Sequence, residues 1–242
     1  MKYEFEVVDI ADSTNTLLKN RAKFEDEGKV LIANTQTSGR GRLGRSFYSP
    51  AGSGLYMSLL LKPRIAPTES LLITTCAAVA VCEAIEAMSG KKAGIKWVND
   101  VFVGGKKVCG ILTESGITDG KLDYAVLGIG VNLYDCGFPD SLKDIAGAVF
   151  DGKPCSCDVR DKMAKEICER FFAYYENLCE KRFLGEYRRR SIVTGKTVNV
   201  ISGGNTREAK VLDIDDDLAL LVEFPDGTRE RLLSGEVSIR IK

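Results

Sequence analysis

The residues best suited to chemistry lie in one glycine- and arginine-rich segment between two apolar runs. Residues 36–47 read QTSGRGRLGRSF and carry Arg40, Arg42 and Arg45 among three glycines. Glycines let the backbone approach a ligand and expose amide donors, and arginines are forked cations that match carboxylates and phosphates. The segment indicates a site that holds two anions together, such as a carboxylate beside a nucleotide phosphate. A solvated basic loop is the alternative.

The same segment contains the spacing G-x-G-x-x-G at Gly39, Gly41 and Gly44, which also occurs in dinucleotide-binding folds. In those folds the glycines open a helix, and an acidic residue follows about 20 positions later. Here Pro50 and further glycines follow, and the residue 20 positions after Gly44 is Arg64. The context therefore excludes a dinucleotide-binding fold.

Two further polar clusters adjoin apolar runs. At the end of the sequence KWVND, Asn99 is suited to contact a polar ligand and Asp100 to hold Mg²⁺; an ordinary turn between strands is the alternative. In residues 107–114, KVCGILTE, Lys107 stands at the mouth of a strand and Gly110 admits close contact. This pattern fits a lysine aimed at a ligand anion, and equally a solvated edge lysine.

Composition limits the remaining chemistry. The 242 residues include 34 basic and 34 acidic side chains and no histidine, which excludes histidine-based nucleophilic and acid–base catalysis. The zero net charge does not favour a nucleic-acid partner. The eight cysteines lack a Cys-x-x-Cys spacing, the first residues do not resemble a signal peptide, and no apolar stretch reaches the ~20 residues of a membrane span. We expect reduced thiols and a soluble cytoplasmic protein.

These clusters need a sheet and covering helices to position them. The hydrophobic patterns predict helices over residues 14–23, 68–88 and 158–181. They predict single strands over residues 3–8, 29–34 and 55–61, a run of strands from 94 to 132, and four or five short strands over 196–242. Ser13 is predicted as a helix N-cap, and Gly104–Gly105 and Asp119–Gly120 as hairpin turns. The patterns indicate an α/β domain followed by a small antiparallel β-barrel.

With the three clusters in view, the sequence resembles the biotin protein ligases, which adenylate biotin and transfer it to a lysine of a carrier domain. The resemblance covers nearly the whole chain. Its motifs are D-S-T-N at 12–15, G-R-G-R-x-G-R at 39–45, K-W-P-N-D at 96–100 with valine in place of proline, K-[VLI]-[AC]-G-I-L-x-E at 107–114, G-x-G-[IV]-N at 128–132 and G-[DE]-[VI]-S-[ILV]-R at 235–240.

The resemblance implies an α+β fold. Residues 1–190 would form a catalytic biotin- and ATP-binding domain, with a central mixed β-sheet and helices like those of class II aminoacyl-tRNA synthetases and biotin and lipoate ligases. Residues 191–242 would form a small C-terminal antiparallel β-barrel.

The resemblance also implies the roles of individual residues. Those implied to bind biotin are Ser13, Thr14, Asn15, Gln36, Arg40, Gly41, Arg42, Lys107 and Gly110. Those implied to bind ATP are Arg42, Arg45, Phe47, Asn99, Asn132 and Arg240. Arg42, Lys107 and Asp100 are implied to be catalytic, with Asp100 also the Mg²⁺ ligand.

The implied reaction activates biotin to biotinyl-5′-AMP with release of pyrophosphate. Biotin then passes to a lysine of the biotin carboxyl carrier domain of a biotin-dependent carboxylase. Because only twelve residues precede Ser13, we expect no DNA-binding domain and no repressor function. We also expect no membrane partner, and either a monomer or a homodimer. A lipoate or octanoate ligase, a non-catalytic biotin-binding module and, third, a DNA-binding regulator are the alternatives.

Overall fold

The computed structural model describes residues 2–135, 137–152, 157–202, 205–233 and 238–241, without the side chains at 157, 202 and 238–241. The first seven strands form one sheet. They are β1 (Glu4–Ala11), β2 (Lys29–Gln36), β3 (Gly54–Leu61), β4 (Ala93–Lys96), β5 (Asp100–Val103), β6 (Lys106–Thr118) and β7 (Lys121–Asn132).

The strand order of this sheet is β1-β2-β3-β7-β6-β5-β4. Strands β1 and β2 are parallel and every other neighbouring pair is antiparallel, which confirms the predicted mixed sheet. Both predicted hairpin turns are present, with φ of 56° and 79° at Gly104 and Gly105 and of 50° and 75° at Asp119 and Gly120. Two consecutive positive φ angles match the right-handed twist of the flanking strands, so these residues fix the register of the hairpins.

Helices cover both faces of the sheet. They are α1 (Thr14–Arg21), α2 (Leu71–Ser89), α3 (Cys157–Tyr175) and α4 (Leu184–Arg189). Alternate strand residues point to opposite faces, and Leu31, Leu60 and Val126 accordingly meet Leu18 of α1 in a small core on one side. The larger core lies on the other face, beneath α2 and α3. The sheet is thus fixed on both sides, and the start of α1 is held against it.

One helical stretch, Pro67–Ser89, has the length and apolar composition of a membrane span. It contains α2, and 72% of its most apolar part is buried inside the protein, between the sheet and α3. The two carboxylates of α2 have partners there. The Tyr174 hydroxyl donates to Glu83 Oε1 at 2.8 Å, and the guanidinium of Arg190 donates to both oxygens of Glu86, at 2.7 and 2.9 Å. Its apolar length is therefore accounted for by core packing.

Helix α3 is shorter than its sequence pattern predicts. The apolar spacing predicted a helix to residue 181, but α3 ends at Tyr175. Asn177 has φ −127° and ψ 46°, outside the helical region, and Lys181 has a left-handed φ of 52°. Leu178 is buried all the same, in a short 3-10 turn. The predicted end was wrong because this leucine reaches the core without continuing the helix.

The C-terminal region forms a second, antiparallel sheet. Its strands are β8 (Thr197–Ser202), β9 (Asn205–Ile214), β10 (Leu220–Glu223), β11 (Arg229–Leu232) and β12 (Ser238–Ile241), in the order β11-β10-β9-β8-β12. The Trp97 indole N–H donates to the Leu218 carbonyl at 2.9 Å, and Arg188 Nε donates to the Ile214 carbonyl at 2.6 Å. These bonds join the C-terminal region to the preceding part of the protein, while the boundary after residue 190 stays a prediction.

The described cysteines are free thiols, in agreement with the expected reduced state. Cys76, Cys82, Cys109 and Cys168 are buried, and Cys179 is exposed. Burial raises the pKa of the Cys82 and Cys168 thiols to about 12, so they pack as neutral groups. Cys136, Cys155 and the side chain of Cys157 lie outside the described residues.

Candidate active site

One pocket of about 160 Å³ gathers almost all of the residues singled out by the sequence. It lies between the start of α1, the loop after β2, the turn between β4 and β5, and strands β6 and β7. The predicted residues that line it are Ser13, Thr14, Asn15, Gln36, Arg40, Gly41, Arg42, Arg45, Phe47, Asn99, Asp100, Lys107 and Gly110. Asn132 is not among the lining residues, and the side chain of Arg240 lies outside the described part of the structure.

The first end of the pocket is uncharged and hydrogen-bonded. Ser13, Thr14 and Asn15 are only 2 to 4% exposed. Gln36 Oε1 accepts from the Thr14 amide at 2.9 Å and from its hydroxyl at 3.2 Å, while Gln36 Nε2 donates to Ser49 Oγ at 2.9 Å. Ser13 occupies the predicted N-cap position, but its side chain makes no capping hydrogen bond within the described residues. This end presents amide and hydroxyl groups of fixed orientation.

The Asn15 side chain is held at three points. Its Nδ2 donates to the Leu112 carbonyl at 3.2 Å and to Glu114 Oε2 at 3.1 Å, and its Oδ1 accepts from Ser58 Oγ at 2.6 Å. A Cβ at position 128 would stand 2.2 Å from Asn15 Oδ1, so Gly128 provides the space for this amide. With both N–H donors used, the free capacity of Asn15 toward a ligand is the second lone pair of Oδ1.

The second end of the pocket is charged. Arg42 Nη1 donates to Asn99 Oδ1 at 2.9 Å, and Asn99 Nδ2 donates to the Ile111 carbonyl at 2.9 Å. The Ile111 amide donates in return to the Asn99 carbonyl at 3.1 Å. Asn99 is thus tied to β6 and fixes the arginine. Desolvation by burial lowers the pKa of Arg42 from its usual value, which is the expected sign for a buried cation.

Lys107 and Asp100 form the second charged contact. Lys107 Nζ lies 2.7 Å from Asp100 Oδ1, and the two side chains are 30% and 24% exposed. Oδ1 is buried and receives no well-aligned hydrogen bond within the described residues, so the contact is ionic. No cluster of three or more acidic or cysteine side chains that could hold a metal occurs in the described part of the chain. Asp100 is the one carboxylate among the lining residues.

The loop between the two ends is a narrow hairpin and not the start of an α-helix, as its context predicted. The Gly41 amide donates to the Arg45 carbonyl at 2.7 Å, and the Phe47 amide donates to the Gly39 carbonyl at 2.8 Å. A single 3-10 turn, Arg42–Gly44, forms its tip. Within the turn Leu43 has a φ of 55° and is exposed. This hairpin aims Arg42 into the pocket.

Phe47 returns from this loop to the floor of the pocket. A Cβ at position 130 would stand 2.5 Å from its ring, and one at position 110 would stand 3.3 Å from it. Gly110 and Gly130, register partners on β6 and β7, therefore let the aromatic ring lie against the sheet. The ring also meets Tyr56 edge-on, with centroids 6.4 Å apart.

Two predicted nucleotide contacts, Asn132 and Arg240, need separate accounts. Asn132 ends β7, and its Nδ2 donates to the Gly147 carbonyl at 3.1 Å. Arg240 lies in β12 opposite Asn199, and its side chain is outside the described part of the structure. Both nucleotide contacts stay predictions.

Sequence reasoning missed Ser58 and gave no role to Glu114. Ser58 is fully buried on β3, where its hydroxyl lies 2.7 Å from Thr14 Oγ1 and 2.6 Å from Asn15 Oδ1. Since the carbonyl oxygen of Asn15 only accepts, the single serine proton goes to it. The signal in the sequence is one polar residue in the apolar run LYMSLLL, which indicates a buried hydroxyl that needs a partner.

Comparisons with known proteins agree with this arrangement. Residues 7–132 match the Biotin/lipoate A/B protein ligase family, and residues 193–240 match the Biotin protein ligase C terminal domain. The chain belongs to the biotin/lipoate protein ligase family, and it carries the two domains of the biotin protein ligases.

Individual relatives support the same membership. The biotin protein ligase from Aquifex aeolicus in complex with biotin and ATP has a TM-score of 0.80 and 30% identity, with 100% of both chains covered. The bifunctional ligase/repressor BirA of Bacillus spizizenii is 34% identical over 88% of this chain and 66% of its own length. The biotin–[acetyl-CoA-carboxylase] ligase of Mycobacterium tuberculosis is 29% identical over 91% of this chain and 83% of its own. The chain thus spans about two thirds of the length of its Bacillus relative.

Proposed function

We propose that the protein is an ATP-dependent biotin protein ligase. It activates biotin to biotinyl-5′-AMP with release of pyrophosphate and transfers the biotinyl group to a lysine of a biotin carboxyl carrier domain. The observation that carries the proposal is that an uncharged, hydrogen-bonding end and a cationic end share one pocket. The first suits the neutral ureido ring of biotin, and the second suits its carboxylate beside a phosphate.

The cationic end fits the first half-reaction. A carboxylate must approach the α-phosphate of ATP, and two anions repel each other most strongly in a site with little water. Arg42 and Lys107 line the pocket together and offset that repulsion with charges already in place before the reaction. Neither step requires histidine, which this chain does not contain. Once formed, the acyl-adenylate must be shielded from water until the carrier lysine arrives.

The residues present fit Mg²⁺ bound together with ATP. Mg²⁺ is usually held by one or two carboxylates with substrate phosphates completing its ligands. Asp100, the carboxylate among the lining residues, would hold it, and the ion would neutralise charge on the departing pyrophosphate. Lys107 Nζ lies 2.7 Å from the same carboxylate. The Mg²⁺ requirement is part of the proposal.

Asp100 also has a proposed part in the second half-reaction, in which it orients or deprotonates the attacking lysine amine. Asp100→Asn keeps the shape of the side chain and removes its charge. We expect this variant to transfer biotin more slowly from preformed biotinyl-5′-AMP, measured in single-turnover reactions without ATP. Transfer at the wild-type rate would rule out this role and leave Asp100 as a metal ligand.

The remaining contacts follow the same division of the pocket. Phe47, whose ring lies against Gly110 and Gly130, is proposed to stack on adenine, and Arg45, Asn132 and Arg240 are proposed to contact the nucleotide. Gly110 admits close approach of the ligand beside Lys107.

The carrier is the biotin carboxyl carrier domain of a carboxylase, and the M. tuberculosis relative is named for acetyl-CoA carboxylase. We further propose a cytoplasmic location, either a monomer or a homodimer, and no binding to DNA.

The decisive experiment is ATP–pyrophosphate exchange measured with biotin and, as the matched arm, with lipoate. We expect exchange that depends on biotin and Mg²⁺ and is absent with lipoate. Exchange with lipoate alone would identify a lipoate ligase. Binding of biotin in calorimetry without exchange would identify a non-catalytic biotin-binding module.

A further inference from the structure

Glu114 lies behind the pocket at a point where three polar side chains meet. Its Oε2 accepts from Asn15 Nδ2 at 3.1 Å, and its Oε1 lies 3.1 Å from Arg40 Nη1 and 3.5 Å from Lys19 Nζ. The carboxylate is 15% exposed and is not among the residues that line the pocket. It therefore touches the uncharged end of the pocket through Asn15 and the loop between the two ends through Arg40, and it does not line the pocket itself.

A carboxylate in this place needs a reason, because the pocket is built to receive anions. A buried negative charge is unfavourable unless it is paired, and it would repel an incoming carboxylate or phosphate. Arg40 and Lys19 offset the charge, and Asn15 occupies part of its hydrogen-bonding capacity. An apolar residue in its place would leave Asn15 and Arg40 without these contacts, so the charge serves its partners.

The position of Glu114 in the sheet explains how it could serve them. It lies on β6 opposite Val126 of β7, in the long hairpin that forms the middle of the main sheet. Asn15 belongs to α1, and Arg40 belongs to the hairpin of residues 39–47, which is called the arginine loop below. One residue on a rigid strand thus fixes both segments to the same frame.

We propose that Glu114 is a positioning residue that couples the biotin-ring end of the pocket to the arginine loop. Through its hydrogen bond it orients the Asn15 amide, and through its ion pair it holds Arg40 and with it the loop that covers the ligand. This inference rests on the proposed biotin ligase function. It assigns a role to a side chain that contacts neither substrate.

Two substitutions separate the two contacts. Glu114→Gln keeps an oxygen that accepts from Asn15 but removes the charge that attracts Arg40. Glu114→Ala removes both. Lys19→Met is the matched control, because Lys19 is 41% exposed and its loss removes one weak ion pair of Glu114 without touching the pocket.

For Glu114→Gln we expect the KM for biotin to stay at the wild-type value and the dissociation rate of biotinyl-5′-AMP to rise about threefold, the effect of one partly exposed ion pair. For Glu114→Ala we expect the KM for biotin to rise about tenfold as well, because Asn15 loses a hydrogen bond to a charged acceptor. Lys19→Met should match the wild-type protein in both. Glu114→Gln and the wild-type protein should have the same melting temperature. If the charge served only to stabilise the fold, its removal would lower the melting temperature.

Each outcome decides one question. The inference is overturned if the dissociation rate of the adenylate is unchanged in Glu114→Gln, or if the KM for biotin is unchanged in Glu114→Ala. The proposed function still stands in that case, provided that the wild-type protein shows biotin-dependent exchange. Equal changes in KM and in dissociation rate for both variants also overturn it, because the two contacts would then not be separable. Absence of biotin-dependent exchange in the wild-type protein overturns the proposed function and this inference together.

Discussion

At the uncharged end of the pocket, Thr14 and Asn15 are 3 and 4% exposed and are held by hydrogen bonds to Gln36 and Ser58. At the charged end, Lys107 and Asp100 are 30% and 24% exposed and are held by one ion pair. At the first end, hydrogen bonds within the protein fix the orientation of Thr14 and Asn15. The second end holds two opposite charges in contact, which the proposed substrate and metal would separate.

This difference indicates two ways of preparing a site. Buried groups that are already hydrogen-bonded keep their orientation without a ligand, because their protein partners remain in place when the ligand binds. A partly exposed ion pair is worth little on its own, commonly ~0–1 kcal/mol, so new ionic partners replace it easily. The uncharged end is therefore expected to govern the affinity for biotin, and the charged end to govern the rate of adenylation and the retention of its product.

The largest effect is expected from Lys107→Ala at the charged end. It removes a cation that is proposed to offset charge in the transition state, and it removes the ion pair between Lys107 and Asp100. We expect biotin-dependent pyrophosphate exchange to fall by ~10²–10³-fold, the usual cost of losing one such group. Lys106→Ala is the control, because that lysine donates to the Lys143 carbonyl outside the pocket. Exchange within a factor of two of wild type would remove Lys107 from adenylation.

A smaller effect is expected from Arg42→Gly. The guanidinium of Arg42 is proposed to contact the phosphate. Without it, biotinyl-5′-AMP should dissociate about 10 to 100 times faster, because charged hydrogen bonds are lost. The Kd for free biotin should change far less. Arg42→Met, which keeps the side-chain stem, distinguishes the charge from added backbone freedom, and stopped-flow release of the adenylate measures both variants. An unchanged release rate would contradict the assignment.

Two glycines on one strand offer a direct comparison of the ends. A Cβ at Gly128 would stand 2.2 Å from Asn15 Oδ1, and one at Gly130 would stand 2.5 Å from the Phe47 ring. Crowding of this kind costs ~1–3 kcal/mol, so we expect about tenfold effects. Gly128→Ala should raise the KM for biotin, and Gly130→Ala the KM for ATP. Steady-state kinetics with biotin and with ATP measure the two KM values. If each variant raised the two KM values equally, the two ends of the pocket would not be independent.

The smallest effect is expected from Ser58→Ala, which removes the donor to Asn15 Oδ1. Asn15 keeps its bonds to Leu112 and Glu114, so the amide loosens without being lost. We expect the KM for biotin to rise about fivefold and the free energy of unfolding to fall by about 1 kcal/mol. Urea denaturation measures the free energy of unfolding, and steady-state kinetics measure the KM for biotin. We expect kcat to be unchanged. A fall in kcat at constant KM would place Ser58 in the chemistry of the charged end.

Much of the site could be predicted because short motifs carry it. The segment containing Arg42, the pair Asn99–Asp100 and the start of β6 with Lys107 are each local patterns of charge and glycine, and the structure brings all three to one pocket. The strand patterns were predictable for the same reason, since alternation of apolar residues is local. Helix α3 was predicted too long because Leu178 lies at helical spacing from Tyr174 yet reaches the core through a 3-10 turn.

The amino-acid sequence by itself determined the elements of the mixed sheet, the hairpin turns, and the residue types that can hold two anions without histidine. Only the tertiary structure decided which of them meet. It placed Ser58 and Glu114 against Asn15, turned the Asn132 amide to Gly147, and brought Gly128 and Gly130 beneath Asn15 and Phe47. Backbone propensity depends on neighbours in the chain, whereas contacts such as that between Asn15 and Glu114, 99 residues apart, depend on how strands and helices pack.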